Sequence, residues 1–221
     1  GHLAGNSCSF LVQRITDEQG NNINRPVVAV EQHEQTNRLW LYFQLYFHHE
    51  RSLIARLGNL TQSAPVANMS LERALKLTED ASGYKDFDLD AEQKMALYLA
   101  LRQRFAIITG GPGTGKTTLV CSLLRALLAD GVAAERIVLV APTGRAGRRM
   151  GESLRSSIAK APESLPEEHR KAIAEMQGST IHRLLRYDPS HNEFVYNERH
   201  KLDIDALILD EVSMVDMVLM S

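Results

Sequence analysis

From residue 90 onward, apolar and polar positions fall into blocks that switch between the two periods of regular structure. Residues 105–109, Phe-Ala-Ile-Ile-Thr, form a short apolar run with β-branched members and predict a buried parallel strand. Residues 118–128 carry Leu119, Val120, Leu123, Leu124, Leu127 and Leu128 at spacings of three and four, which predicts a helix that Asp130-Gly131 stops. Val138-Leu139-Val140-Ala141 predicts another strand; Pro142 and Gly144 break it, and a helix is expected to start near Arg145. Ala206-Leu207-Ile208-Leu209 predicts the last strand. A helix from Asp90 onward, then alternating strands and helices, give an α/β fold with a parallel sheet between helices.

The first sixty residues are patterned differently. Residues 27–30 and 39–42 read as strands joined by a turn at Gln35-Thr36-Asn37, followed by a helix over 44–57 that Gly58 ends. Trp40, Tyr42, Phe43, Tyr46 and Phe47 concentrate aromatic residues here. They suit either the core of a small α+β domain or a partner-docking surface, since aromatic side chains dominate binding hot spots. Residues 59–65 are polar and turn-rich, 70–77 predict a short helix and 83–88 a loop. The expected organisation is a small α+β domain over 1–60, a linker with a short helix over 61–88, and an α/β domain over 89–221.

Composition narrows the class without fixing the chemistry. The 221 residues are 44% hydrophobic and 24% charged, as in ordinary globular proteins, with a formal net charge of −2. No apolar run approaches the roughly 18 residues of a membrane span, and the first residues show no signal-peptide pattern. Cys8 and Cys121 lie far apart, so a reducing, cytoplasmic setting is expected rather than a disulfide scaffold, and the histidines make no metal-ligand spacing with them. Overall charge neither supports nor excludes nucleic acid; any such contact needs a local patch.

The chemistry is concentrated between Gly110 and Thr118. Gly110-Gly111-Pro112-Gly113-Thr114-Gly115-Lys116-Thr117 satisfies G-x-x-x-x-G-K-[ST] between a predicted strand and a predicted helix. Glycines let successive backbone N–H groups approach phosphate oxygens, Lys116 reaches the outer phosphates of ATP, and the Thr117 hydroxyl ligates Mg²⁺. The helix that follows adds its positive end. Asp210-Glu211 caps the last apolar strand, where ligands of parallel sheets bind. There Asp210 would hold the Mg²⁺ and Glu211 would orient and deprotonate the attacking water, which points to an ATPase.

Three further segments each carry two readings. Thr143, Arg145, Arg148 and Arg149 place a hydroxyl and guanidinium groups at a strand tip, suited to a DNA phosphate or simply forming a solvated basic helix face. Ser179-Thr180-Ile181-His182-Arg183 could touch a sugar–phosphate chain or cap a helix. Asp90-Ala91-Glu92-Gln93 is a capping-box pattern, while the Gln93 amide could alternatively read the adenine edge.

Taken in order, Leu89 to Gln93, 109–118, Pro142-Thr143-Gly144-Arg145-Ala146, Ser179 to Leu185 and Asp210-Glu211-Val212-Ser213-Met214-Val215-Asp216 resemble superfamily 1 DNA helicases of the RecD type. The resemblance runs from about Leu89 to the end. More loosely, residues 25–51 are similar to the N-terminal domain of exodeoxyribonuclease V alpha subunits. This resemblance implies a RecA-like P-loop NTPase domain with a partial parallel sheet, preceded by a small α+β domain. It assigns Gln93 to adenine, Lys116 and Thr117 to phosphate and Mg²⁺, Thr143 and His182 to the single-stranded DNA path, and Asp210 and Glu211 to hydrolysis. Arg145, Arg149 and Thr180 join the DNA contacts, and Thr118 joins the nucleotide site. The activity implied is 5′→3′ translocation on single-stranded DNA with RecB- and RecC-like partners, in double-strand break repair and recombination. The N-terminal domain would then dock the RecC-like partner. Arg145 stands where many relatives carry Lys, which keeps the charge but not the contact geometry.

The alternatives are another superfamily 1 motor, such as a relaxase-linked helicase, or a partner-binding scaffold. The sequence stops at Ser221, short of the second RecA-like domain and arginine finger that the resemblance implies. These residues alone are therefore expected to bind nucleotide but hydrolyse it poorly.

Overall fold

The computed structural model describes residues 8–16, 22–33, 38–64, 66, 69–82, 88–111, 113–161, 165–191 and 193–221, with side chains from Phe43 onward. Gln35-Thr36-Asn37, Pro112 and most of the expected 83–88 loop lie outside the described residues. The chain divides into two compact units, one of 1–59 with 216–221 and one of 60–215.

In the first unit, β1 (Cys8–Thr16), β2 (Asn22–His33) and β3 (Arg38–Phe43) form an antiparallel sheet in that order. The two expected strands are present as the cores of β2 and β3, and β1 is an addition. Pro26 sits inside β2 without breaking it. It pairs opposite Val12, at an irregularity in the β1 register, and the β2–β3 ladder begins only at Val28, so its missing N–H costs no bond to β3. Helix α1 (Gln44–Gln62) follows β3 directly and runs through Gly58. A Cβ at Gly58 would meet nothing within 4 Å, so no turn is demanded there and the glycine is tolerated as a helical residue.

The second unit holds the predicted α/β alternation. Helices α2 (Leu71–Ser82), α3 (Ala91–Arg102) and α4 (Lys116–Ala129) pack around Leu77, Leu89, Leu97, Leu101 and Leu119. Strand β4 (Ile137–Ala141) leads into α5 (Gly144–Ile158), and α6 (Glu167–Glu175) precedes β5 (Ser179–Thr180). A single-turn helix α7 (Ile181–Leu184) and a short hairpin, β6 (Tyr187–Asp188) with β7 (Glu193–Phe194), come next. Strand β8 (Ala206–Leu209) pairs with β4 in parallel, giving the sheet order β5-β4-β8. The terminal turn α8 (Met217–Met220) belongs to the first unit, where His49 and Ser221 hydrogen bond through their side chains.

Residues 105–109 are not a strand. The run has the propensity, but a strand exists only where its N–H and C=O groups find a neighbour. No ladder forms there, β8 is a sheet edge, and Ile107 and Leu207 are 68% and 52% exposed.

Helix α2 is packed structure, not a bare connector. Its arginine Arg73 pairs with Asp130, the residue that caps the end of α4, and donates from Nη2 to the Asp130 carbonyl at 3.3 Å. In return, Arg125 of α4 donates from Nη1 to Ala81 O at 3.1 Å, near the end of α2. Each helix thus supplies a cation to the other's negative C-terminal end. Arg170 does the same for α5, donating to Ile158 O and Ala161 O at 3.1 and 3.2 Å. At the other end of the sheet, Arg136 forms a two-bond fork with Asp205 (2.6 and 3.0 Å) and bonds Asp203 at 2.7 Å, tying the start of β8 to β4. That contact holds the Asp205 carboxyl below the ordinary carboxylate range.

Cys121 lies on the buried face of α4 with no accessible surface, and burial pushes its thiol up to about 11 against a smaller opposing effect of Arg125. In a Cys8→Ser background, a thiol reagent at pH 8 is expected to leave Cys121 unlabelled in native buffer and to label it fully in denaturant. Rapid native labelling would contradict this packing.

Candidate functional site

The loop between α3 and α4 is shaped by glycines and held by its own side chains. Gly113 and Gly115 have φ of 77° and 76°, a backbone that L-residues rarely adopt, and Gly115 is the residue from which α4 starts. Residues with the backbone turned this way aim consecutive N–H groups into the concavity that precedes a helix. Lys116 donates from Nζ to Gly110 O at 2.6 Å and Gly111 O at 2.7 Å. Thr114 donates from Oγ1 to Gly111 O at 2.9 Å. Both lysine and hydroxyl are exposed, so a triphosphate could replace these carbonyls as their partner without unfolding anything. Thr117 and Thr118 sit on the first turn of α4; Pro112 lies outside the described residues.

Asp90 caps α3 with both halves of a capping box: Gln93 N donates to Asp90 Oδ1 at 2.8 Å, and Asp90 N donates to Gln93 Oε1 at 3.0 Å. The capping reading is therefore realised. The same Gln93 amide also reaches the loop, donating from Nε2 to Thr114 O at 2.9 Å.

At the C-terminal ends of the parallel strands, the register brings three segments to one edge of the sheet. Ala141 pairs with Thr180 and Val140 with Leu209. Asp210 N donates to Val140 O at 2.9 Å, which extends the ladder by one bond and fixes the acidic pair at the strand tip. Asp210 Oδ1 accepts from Glu211 N at 2.8 Å, and both side chains are exposed. Glu211 has φ 52° and ψ 39°, a left-handed backbone that costs a non-glycine residue about 1 kcal/mol or more.

The Thr143 hydroxyl, expected to be free, is engaged, and the capping alternative at Thr180 is realised. Thr143 caps α5, its Oγ1 accepting from Ala146 N at 3.2 Å, and Thr180 caps α7 by accepting from Arg183 N at 3.2 Å. Their O–H protons remain available as donors. Arg145, Arg148 and Arg149 are exposed on α5. Arg149, however, lines a cleft of about 400 Å³ together with Thr117, Glu152, Ser153, Ser156 and Ser157. The structure thus brings Arg149 to the loop side of the domain. His182 instead meets Tyr187 edge-on at 5.6 Å and Phe194 at 5.7 Å. This ring cluster was not singled out from sequence; the signal was Asp188-Pro189-Ser190, a turn between two aromatic positions.

Among the described residues no group of three or more His, Cys, Asp or Glu side chains could hold a metal, and no helix is long and apolar enough to cross a membrane. A divalent ion bound together with phosphates would need few protein ligands, and the exposed Thr117 hydroxyl on the first turn of α4 is of the kind that supplies one.

A family model described as AAA domain matches residues 93–221. The chain is 40% identical over 130 residues to the RecBCD enzyme subunit RecD of Haemophilus influenzae, covering 58% of this chain and 20% of that protein. It is 35% identical over 187 residues to the subunit of the same name from Mycobacterium tuberculosis, covering 82% of this chain and 30% of that one. It is 35% identical over 161 residues to the ATP-dependent RecD2 DNA helicase of Deinococcus radiodurans, covering 68% and 19%. The chain spans less than a third of the length of these relatives.

Proposed function

The chain belongs to the AAA domain family, and from that premise we propose that it is the ATP-binding portion of a 5′→3′ DNA helicase subunit of RecBCD type. The observation that carries the reading is the parallel β4–β8 pair with Asp210-Glu211 at its tip, in a domain whose α4 opens on Lys116 and Thr117. Relatives named as RecD align with up to 82% of the chain, which favours this reading over a relaxase-linked motor or a scaffold.

In this reading the residues divide the work by chemistry. Backbone N–H groups of 113–116 and Lys116 bind the outer phosphates, Gln93 meets the adenine, and Thr117 and Asp210 hold Mg²⁺. The ion, when bound, neutralises charge that develops on the phosphate oxygens. Glu211 orients a water and accepts its proton on a carboxylate oxygen. The exposed Thr143, Arg145 and His182 and the half-buried Thr180 line the path of single-stranded DNA, with Arg149 between that path and the loop. RecB- and RecC-like subunits are the proposed partners, and double-strand break repair in the cytoplasm the proposed setting.

Single-turnover ATP hydrolysis in the presence of single-stranded DNA tests this. Glu211→Gln is expected to lower the rate constant about 10²–10⁴-fold, the range of a lost general base. ATP affinity should stay within about twofold, because the carboxamide keeps the shape and touches no phosphate. A variant as fast as the parent would overturn the assignment.

A further inference from the structure

We propose that Gln93 is a positioning residue of the phosphate-binding loop: its side-chain amide holds Thr114, and through it the turn at Gly115, in place. The inference rests on the reading of 110–117 as a triphosphate site, and it gives Gln93 a task that contact with adenine does not include.

Two hydrogen bonds meet on the side-chain amide of Gln93, and a third holds its backbone. Gln93 Oε1 accepts from Asp90 N at 3.0 Å, and Asp90 Oδ1 accepts from Gln93 N at 2.8 Å, so the side chain is oriented by the first turn of α3 before it reaches the loop. Its Nε2 then donates to Thr114 O at 2.9 Å. The same Nε2 occupies the space beside Gly115: a Cβ built there would lie 2.6 Å from it. Gly115 already requires a left-handed backbone, and the peptide between Thr114 and Gly115 is the one that Gln93 grips. Helix α3 itself is fixed by buried Leu97 and Leu101. A helix anchored in the core therefore reaches across to the peptide that enters the left-handed Gly115, immediately before the N–H groups that would face phosphate. Freed from this bond, the peptide can rotate, and some of the binding affinity goes into restoring it.

The amide is not exhausted by these bonds. It keeps a second N–H and a second lone pair, which suffice for an adenine edge. Base recognition and loop geometry thus share one side chain, and a ligand without a base separates them.

The test is the equilibrium binding of Mg²⁺-tripolyphosphate to the 221-residue chain and to two variants, with ATP and GTP in parallel. Gln93→Met removes the donor without adding charge. Gln93→Glu keeps the capping-box acceptor, replaces the donor to Thr114 by a carboxylate oxygen and adds one negative charge, and its melting temperature is expected within about 2 °C of the parent. Both variants are expected to bind tripolyphosphate about three- to tenfold more weakly, as for one lost hydrogen bond. For Gln93→Glu the loss should persist in about 0.5 M salt, where repulsion of the phosphates is screened. The inference is overturned if either variant binds tripolyphosphate like the parent while only the preference for ATP over GTP collapses, or if salt abolishes the loss in Gln93→Glu. A parent chain that binds neither tripolyphosphate nor ATP would overturn the nucleotide reading itself, and this inference with it.

Discussion

Replacing Lys116 by alanine is expected to weaken ATP binding about a hundredfold while leaving the fold intact. A charge-assisted hydrogen bond contributes about 1.5–3 kcal/mol, and the ammonium is placed to make more than one such bond to the outer phosphates. Part of that gain is offset, because Nζ must first leave Gly110 O and Gly111 O, to which it donates at 2.6 and 2.7 Å. A net effect of about 3 kcal/mol follows, or roughly two orders of magnitude in Kd. Stability should hardly change: both carbonyls are on an exposed loop, where water replaces the lysine. Calorimetric titration with Mg²⁺-ATP, paired with a melting curve, checks both halves. Retained affinity would place the triphosphate elsewhere; lost affinity together with lost folding would make Lys116 a structural residue instead.

The second large effect concerns the contact between α5 and the segment entering β5. Gly147 and Gly178 meet backbone to backbone. A Cβ on Gly147 would lie 2.8 Å from Gly178 O, and one on Gly178 would lie 2.5 Å from Gly147 O and 2.8 Å from its Cα. No side chain can move aside, so the whole segment that carries Ser179 and Thr180 must shift. Overpacking of this kind costs about 1–3 kcal/mol or more, and it outweighs the roughly 1 kcal/mol that alanine gains over glycine inside a helix. Gly147→Ala is therefore expected to destabilise by about 1–2 kcal/mol, and Gly147→Val by about 3 kcal/mol. Gly58→Ala is the control with the opposite sign. Nothing lies within 4 Å of a Cβ there, so α1 should gain about 0.5–1 kcal/mol. Denaturant unfolding of the Gly147 variants and amide exchange in α1 for Gly58→Ala measure the two. A Gly147→Ala chain as stable as the parent would show that the close approach is not a constraint.

The parts of the fold legible in sequence are those whose signals are local. The stripe of leucines in α4, the acidic tip of β8 and the capping box at Asp90 each specify their own geometry within a few residues. Strand formation at 105–109 failed as an expectation because an apolar run reports propensity, while a ladder needs a neighbour that no local pattern reveals. The reading of 61–88 included a short helix over 70–77, but not how α2 is packed, because what fixes it in place lies far away in the chain, in Arg125 reaching Ala81 and Arg73 reaching Asp130. The same holds for the site. The loop from Gly110 to Thr117 is a contiguous motif, so spacing alone singles it out. That Gln93 grips Thr114 and that Arg149 shares a cleft with Thr117 are consequences of packing, and spacing alone could not rank them above a capped helix and a solvated basic face. Thr143 was read for its free hydroxyl, whereas the capping alternative offered for Ser179-Thr180 is realised at Thr180; the structure shows that both threonines cap helices.

In the proposed function, the loop closed in this structure by Lys116 on its own carbonyls is a triphosphate site. A crystal structure of the chain with Mg²⁺ and a non-hydrolysable ATP analogue tests it most directly. The triphosphate is expected against the backbone N–H groups of 113–116, with Nζ of Lys116 moved from Gly110 O and Gly111 O onto phosphate oxygens. An analogue bound elsewhere, with Lys116 still on those two carbonyls, would contradict it.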